Sequence, residues 1–172
     1  MIRAARVDEA ALLPAIEHDS DQTMRETRYA YIADLDPVAA DHYLELVTAG
    51  TTWIAVDEAD RPVGFAACGV KPDGVVIYQL SVTRAAQKRG LGTALMRAAI
   101  DWASENRHPR VMLTTFIDVI FNAPFYEGLG FVALEQAHLT PSLAQMLARE
   151  AEQGHDPAKR VAMVLALDGA AA

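Results

Sequence analysis

The sequence offers almost nothing for covalent cross-linking. It has one cysteine, Cys68, among 172 residues, so an internal disulfide is impossible and a reducing compartment, the cytoplasm, is expected. Cys68 sits in an apolar run, residues 63–69, which suits a buried, inert thiol better than a nucleophile. Long hydrophobic runs are missing too. No stretch approaches the roughly 20 apolar residues that span a bilayer, and residues 1–9 lack the layout of a secretory leader, so no membrane partner is expected. The five histidines contain no His-Glu-x-x-His or His-x-x-x-His pair, so no metal site is expected. Positive charge is scarce. A net charge of −8 and an isoelectric point near 5.0 argue against nucleic acid as a partner. They weakly favour a cationic acceptor, although solubility better explains the net value.

What is present reads as an ordinary globular chain. An apolar share of 52% supports one domain with a real core, expected over residues 1–168, followed by a frayed tail at 169–172. Residues 2–6 read as a strand. Asp8 is placed to cap a helix running to about His18. Asp36 followed by Pro37 reads as the cap and first position of a second helix, which Gly50 ends. Residues 51–56, 63–70 and 75–82 read as an antiparallel meander, its last turn being Lys71-Pro72-Asp73-Gly74. Beyond Gly90, the residues Leu91, Ala94, Leu95, Ala98 and Trp102 recur at helical spacing. Residues 111–116 then read as a strand, so a right-handed parallel crossover from 75–82 is implied. Residues 131–135 and 161–167 are expected strands, and Thr140-Pro141 opens a helix that Gly154 closes. The fold class is α/β: a mixed central sheet, antiparallel early and parallel at the crossover, flanked by helices.

The chemistry sits in the turn after the third meander strand. Gln87-Lys88-Arg89-Gly90-Leu91-Gly92-Thr93-Ala94 runs from strand to helix. Unpaired N–H groups and the positive end of the helix dipole collect at such a start. Gly90 and Gly92 let backbone approach an anion closely. Arg84, Lys88 and Arg89 form a basic cluster in an acidic chain. The glycines do not complete a dinucleotide fingerprint, because Leu95 stands where the third is needed, nor a Walker loop. Two glycines at such a turn can also serve backbone geometry alone. A second motif follows the crossover: Asn122-Ala123-Pro124-Phe125-Tyr126-Glu127-Gly128-Leu129-Gly130-Phe131, with Asn122 able to cap a short helix and Gly130 to stop it.

The spacing Gln87-x-x-Gly90-x-Gly92 resembles the acyl-coenzyme A signature of the GNAT N-acetyltransferases. The run Phe125-Tyr126-x-x-Leu129-Gly130-Phe131 resembles the late motif of the same family. The resemblance implies a GNAT-like sheet and acetyl-CoA as co-substrate, with the acetyl group passing to an amine of a small molecule or peptide by direct attack. Backbone of Leu80, Ser81 and Val82 is implied to hold the pantetheine, with the Val82 N–H polarising the acetyl carbonyl. Gln87 through Ala94 are implied to cradle the pyrophosphate, Asn122 to touch the coenzyme, and Tyr126 to protonate the leaving thiolate. Tyr126 can alternatively be a core aromatic; Phe125 and Phe131 read as core.

Two departures stand out. Val119 occupies a position where many relatives carry asparagine. Tyr78 and Gln79 occupy the strand where many carry a glutamate base, which leaves Asp118 and Glu26 as weak candidates for that role. The acidic, aromatic segment from Asp19 to Asp36, including Asp21, Asp34, Tyr29 and Tyr31, is expected to meet the amine. A homodimer is compatible with the family. A non-catalytic acyl-CoA-binding module and transfer of a different acyl group are the competing functions.

Overall fold

Short apolar runs, several of them buried along most of their length, produce seven strands in a computed structural model that describes residues 1–167. Residue 168 and the expected tail at 169–172 lie outside the described residues. The strands are β1 (Ile2–Ala4), β2 (Thr52–Val56), β3 (Pro62–Lys71), β4 (Gly74–Val82), β5 (Arg110–Phe116), β6 (Val132–Ala133) and β7 (Arg160–Ala166), hydrogen-bonded in the order β1-β2-β3-β4-β5-β7-β6. The helices are α1 (Leu13–Asp21), α2 (Ala40–Thr48), α3 (Leu91–Glu105), α4 (Ala123–Glu127) and α5 (Pro141–Glu152). The sheet is mixed as expected.

The described residues form two compact units. The first comprises Met1–Gly69 and Ile77–Asp101. In it β1 pairs antiparallel with β2, and β2 with β3. Tyr43, Phe65, Leu13 and Ile54, all fully buried, centre its core; the Tyr43 and Phe65 rings meet edge-on at 5.0 Å. The second comprises Val70–Val76 and the chain from Trp102 onward. There β4 and β5 run parallel, Val75 opposite Val111 and Val76 opposite Met112, which is the expected crossover. β5 pairs antiparallel with β7 along its whole length, and β6 borders β7. Thr140 accepts from the Leu143 N–H at 3.4 Å, capping α5 as its sequence suggests.

Several boundaries differ, for tertiary reasons. Asp8 caps nothing. The Arg6 N–H donates instead to the Glu9 carboxylate at 2.7 Å, and Arg3 grips the same carboxylate through two nitrogens at 2.9 and 2.7 Å. A 3-10 turn, Val7–Leu12, follows, and α1 starts only at Leu13, with Pro14 in its first turn, where a missing N–H costs nothing. α2 begins at Ala40, not at Pro37. The Val38 N–H donates to the Glu17 carboxylate at 2.9 Å, and that bond holds Val38 outside the helix. The strand expected at 131–135 shrinks to Val132–Ala133, while Phe131 is core. α3 buries Leu95, Met96, Ala99 and Ala103. Ala98 and Trp102, expected on that face, are only half-buried.

Candidate active site

Val82 ends β4, and a 3-10 turn, Arg84–Ala86, leads toward α3. The backbone then passes through left-handed conformations at Lys88 (φ 60°) and Gly90 (φ 77°). A β-carbon on Gly90 would meet nothing within 4 Å, so glycine is required by its backbone angle and not by crowding. The Gly90 carbonyl accepts from the Ala94 N–H at 3.0 Å, the first bond of the helix. The N–H groups of Arg89, Gly90, Leu91, Gly92 and Thr93 meet no backbone acceptor among the described residues. They form a row of open donors at the positive end of a 15-residue helix. Lys88 and Arg89 stand exposed beside them. Such a donor row fits the pyrophosphate of a coenzyme.

Two members of the expected basic and polar rim are already engaged. Arg84 is held by Asp19: its backbone N–H donates to Oδ2 at 2.7 Å, and Nε and Nη2 donate to Oδ1 at 3.2 and 3.1 Å. Gln87 Nε2 donates to the Val82 carbonyl at 3.0 Å and to Thr23 Oγ1 at 3.1 Å. Of the strand residues expected along the pantetheine, Val82 and Ser81 are buried and Leu80 half-buried; Ser81 Oγ accepts from Gln79 Nε2 at 3.0 Å.

The segment expected to meet an amine is differently arranged from its sequence reading. Asp34 is paired with Arg25 at 2.7 Å, Asp19 is bound to Arg84, and Tyr29 is buried in the core. Tyr31 and Glu26 are exposed. The carboxyls that stand out are Glu17 and Asp21, one turn apart on α1. Glu17 is buried and accepts from the Tyr43 hydroxyl at 2.8 Å as well as from Val38. Burial raises its pKa against the pull of those hydrogen bonds. Burial, with the neighbouring Glu17, pushes Asp21 up to about 7. Sequence reasoning named Asp21 only as one of several acids and passed over Glu17; nothing in local spacing distinguishes a buried carboxyl from a solvated one.

The second unit carries the late motif. Asn122 occupies the position before α4, but its side chain makes no capping bond, and Pro124 lies in the first turn. Tyr126 is half-buried against the rings of Phe125 at 5.1 Å and Phe131 at 5.9 Å. Desolvation pushes its phenol up to about 12, opposed by the charge of Arg160. Val119 is buried, so the position where relatives carry asparagine serves packing here. Asp118 is exposed. Cys68 is buried in the first unit, and desolvation holds its thiol pKa high, as an inert side chain requires. No cluster of metal-ligating groups and no helix long and apolar enough to cross a membrane occurs among the described residues.

A family model described as acetyltransferase (GNAT) family matches residues 13–131. A mycothiol acetyltransferase from Renibacterium salmoninarum is 33% identical over 135 residues, 72% of this chain and 37% of that relative. The chain thus spans little more than a third of that relative's length. Among solved structures, an N-acetylglutamate synthase from Neisseria gonorrhoeae, complexed with coenzyme A and N-acetyl-glutamate, superposes with a TM-score of 0.72 at 17% identity, over 97% of this chain and 35% of that one. A GNAT-family acetyltransferase from Staphylococcus aureus superposes with a TM-score of 0.70 at 15% identity, over 98% and 99% of the two chains. These structures share the fold.

Proposed function

The chain belongs to the acetyltransferase (GNAT) family, and on that premise we propose that it joins acetyl-CoA and an amine in one complex, where the neutral amine attacks the thioester carbonyl directly. It is an acyltransferase with acetyl-CoA as donor and an amine as acceptor. The observation that carries the proposal is the row of open backbone donors from Arg89 to Thr93. That row, with Lys88 and Arg89 at its edge, is assigned to the pyrophosphate; Gly92 and Ala94 belong to the same helix start. Leu80, Ser81 and Val82 are assigned to the pantetheine, with the Val82 N–H toward the tetrahedral oxyanion. Asn122 is retained as a coenzyme contact through its place in the late motif. Residues 1–168 are taken as one functional domain, which the family match across residues of both units supports.

Direct attack is supported by Cys68, the one thiol, which is buried and held protonated and so makes no acyl-enzyme. Tyr126 is assigned to the leaving sulfur. With its phenol near 12, it stays protonated at neutral pH and offers a hydrogen bond to the developing thiolate. Full transfer to a thiol of ordinary pKa, near 8.5, is uphill by roughly 3.5 units. The incoming amine must also lose a proton. Asp21, poised near 7, suits that task, because a base works best with a pKa near ambient pH, whereas Asp118 and Glu26 are exposed to water.

The acceptor is proposed to be an amine of a small molecule or peptide, met by the segment between α1 and α2. Relatives as different by name as a mycothiol acetyltransferase and an N-acetylglutamate synthase fall within the likeness, so local groups and not the fold choose the acceptor. The test is thermal stabilisation by acetyl-CoA followed by thiol release over an amine panel. Stabilisation with release from some amines supports the reading. Stabilisation without release from any amine favours a non-catalytic acyl-CoA-binding module, and an unshifted melt at saturating acetyl-CoA overturns the coenzyme assignment.

A further inference from the structure

We infer that Gln87 and Thr23 are positioning residues that brace the end of β4 to the segment following α1, and that the Gln87 side chain does not bind the coenzyme. The inference rests on the assignment of the loop after β4 to the coenzyme. A glutamine amide nitrogen carries two hydrogens. Both are engaged, one by the Val82 carbonyl at 3.0 Å and one by Thr23 Oγ1 at 3.1 Å. A carbonyl oxygen can only accept, so the nitrogen end of the amide must face Val82. What remains of Gln87 for any ligand is a carbonyl oxygen, which repels phosphate. Recruiting the Gln87 amide nitrogen to the pyrophosphate would therefore cost at least one of these hydrogen bonds.

The brace has a second strand of the same kind. Asp19 holds the backbone N–H and guanidinium of Arg84. Asp19, near the end of α1, and Thr23, just beyond it, are four residues apart, and Arg84 and Gln87 are three apart around a 3-10 turn. Two successive turns of one segment thus clasp two ends of the other. The Val82 carbonyl and the Val82 N–H assigned to the oxyanion lie on either side of the same α-carbon, at the end of β4. Thr23 belongs to the segment assigned to the acceptor. Loosening the clasp displaces the strand end and the acceptor-side segment relative to each other while leaving the helix-start donors of α3 in place.

The test is a cycle of Thr23→Val, which removes the bond between Thr23 and Gln87, and Gln87→Met, which removes that bond and the one to Val82, both at similar volume, with Thr23→Ser as the conservative control. Direct binding of desulfo-acetyl-CoA, an unreactive analogue, is measured beside acceptor kinetics. Each single variant is expected to lower kcat/KM for the acceptor about tenfold, the scale of one to two lost hydrogen bonds. Analogue affinity should stay within about twofold, the double variant should be no worse than Gln87→Met alone, and Thr23→Ser should restore activity. Weakened analogue binding in Gln87→Met with an unaffected Thr23→Val, or losses that multiply in the double variant, would overturn the brace. Retained analogue binding also certifies that each variant is folded. The Gln87 side-chain amide protons provide a readout independent of the coenzyme. In the free wild-type protein they should exchange slowly and should speed up in Thr23→Val; fast exchange in the wild type overturns the brace, whereas wild-type failure to bind the analogue overturns only the coenzyme assignment.

Discussion

The loop from Gln87 to Thr93 and the segment from Leu13 to Val38 treat charge in opposite ways. In the loop, Lys88 and Arg89 are exposed and a row of backbone donors is open. An anion bound there would be held by main chain, so almost any side chains around two glycines would serve. In the segment, four carboxyls are withdrawn from water or tied to a neighbour: Glu17 under Tyr43, Asp21 beside Glu17, Asp19 on Arg84, Asp34 on Arg25. Its properties come from which side chains the fold buries together. The first kind of site can be shared across a family, and the second can vary with the acceptor.

The contrast breaks most completely at Gly90. A ligand at a hundred times its Kd stabilises by about 2.7 kcal/mol, a melting shift on the order of 5–10 °C for a chain of this size. Gly90→Val forces a β-branched residue into the left-handed region that Gly90 occupies. Its melt is expected to show no shift at acetyl-CoA concentrations that shift the wild type fully. Next in size, Tyr126→Phe keeps the ring contacts with Phe125 and Phe131 but removes the donor. Steady-state kcat should fall about 100-fold, with coenzyme affinity nearly unchanged; an undiminished rate would remove Tyr126 from the chemistry.

A smaller effect tests the buried carboxyls. The folded-state pKa of Asp21, about 7, lies above its ordinary value of 3.8. A raised acid contributes stability below its unfolded pKa and loses it as pH rises through the folded one. Asp21 thus costs the wild type stability progressively between about pH 4 and 7. Asp21→Asn should raise Tm by a few degrees at pH 8 and by nothing near pH 4, as followed by thermal melts. If Asp21 is also the base, the same variant loses the rise in kcat/KM centred near pH 7. Smallest of all, Asp34→Asn breaks only an exposed pair with Arg25, worth at most about 1 kcal/mol. Acceptor KM should not move, which would set the outer acids of the segment apart from Asp21.

Local chemistry made much of this legible in advance. The strand–turn–helix around Gly90, the cap at Thr140 and the parallel crossover all follow from glycine and proline placement and from apolar period, which act within a few residues. The same information failed where a distant group intervened. Asp36-Pro37 is a sound helix start by itself, yet Val38 is held out of α2 by Glu17, 21 residues away. Asp8 is a sound cap, yet Glu9, gripped by Arg3, takes the position over.

The sequence by itself determined the sheet order's main features, the loop that offers its backbone, and membership of a family, because each depends on residue types at short, fixed spacing. Tertiary structure alone decided that Gln87 and Arg84 turn to Thr23 and Asp19, more than 60 residues away, and that Asp21 titrates near neutrality. Hydrogen bonding and desolvation depend on what lies across space, and a side chain's spacing along the chain carries no record of it.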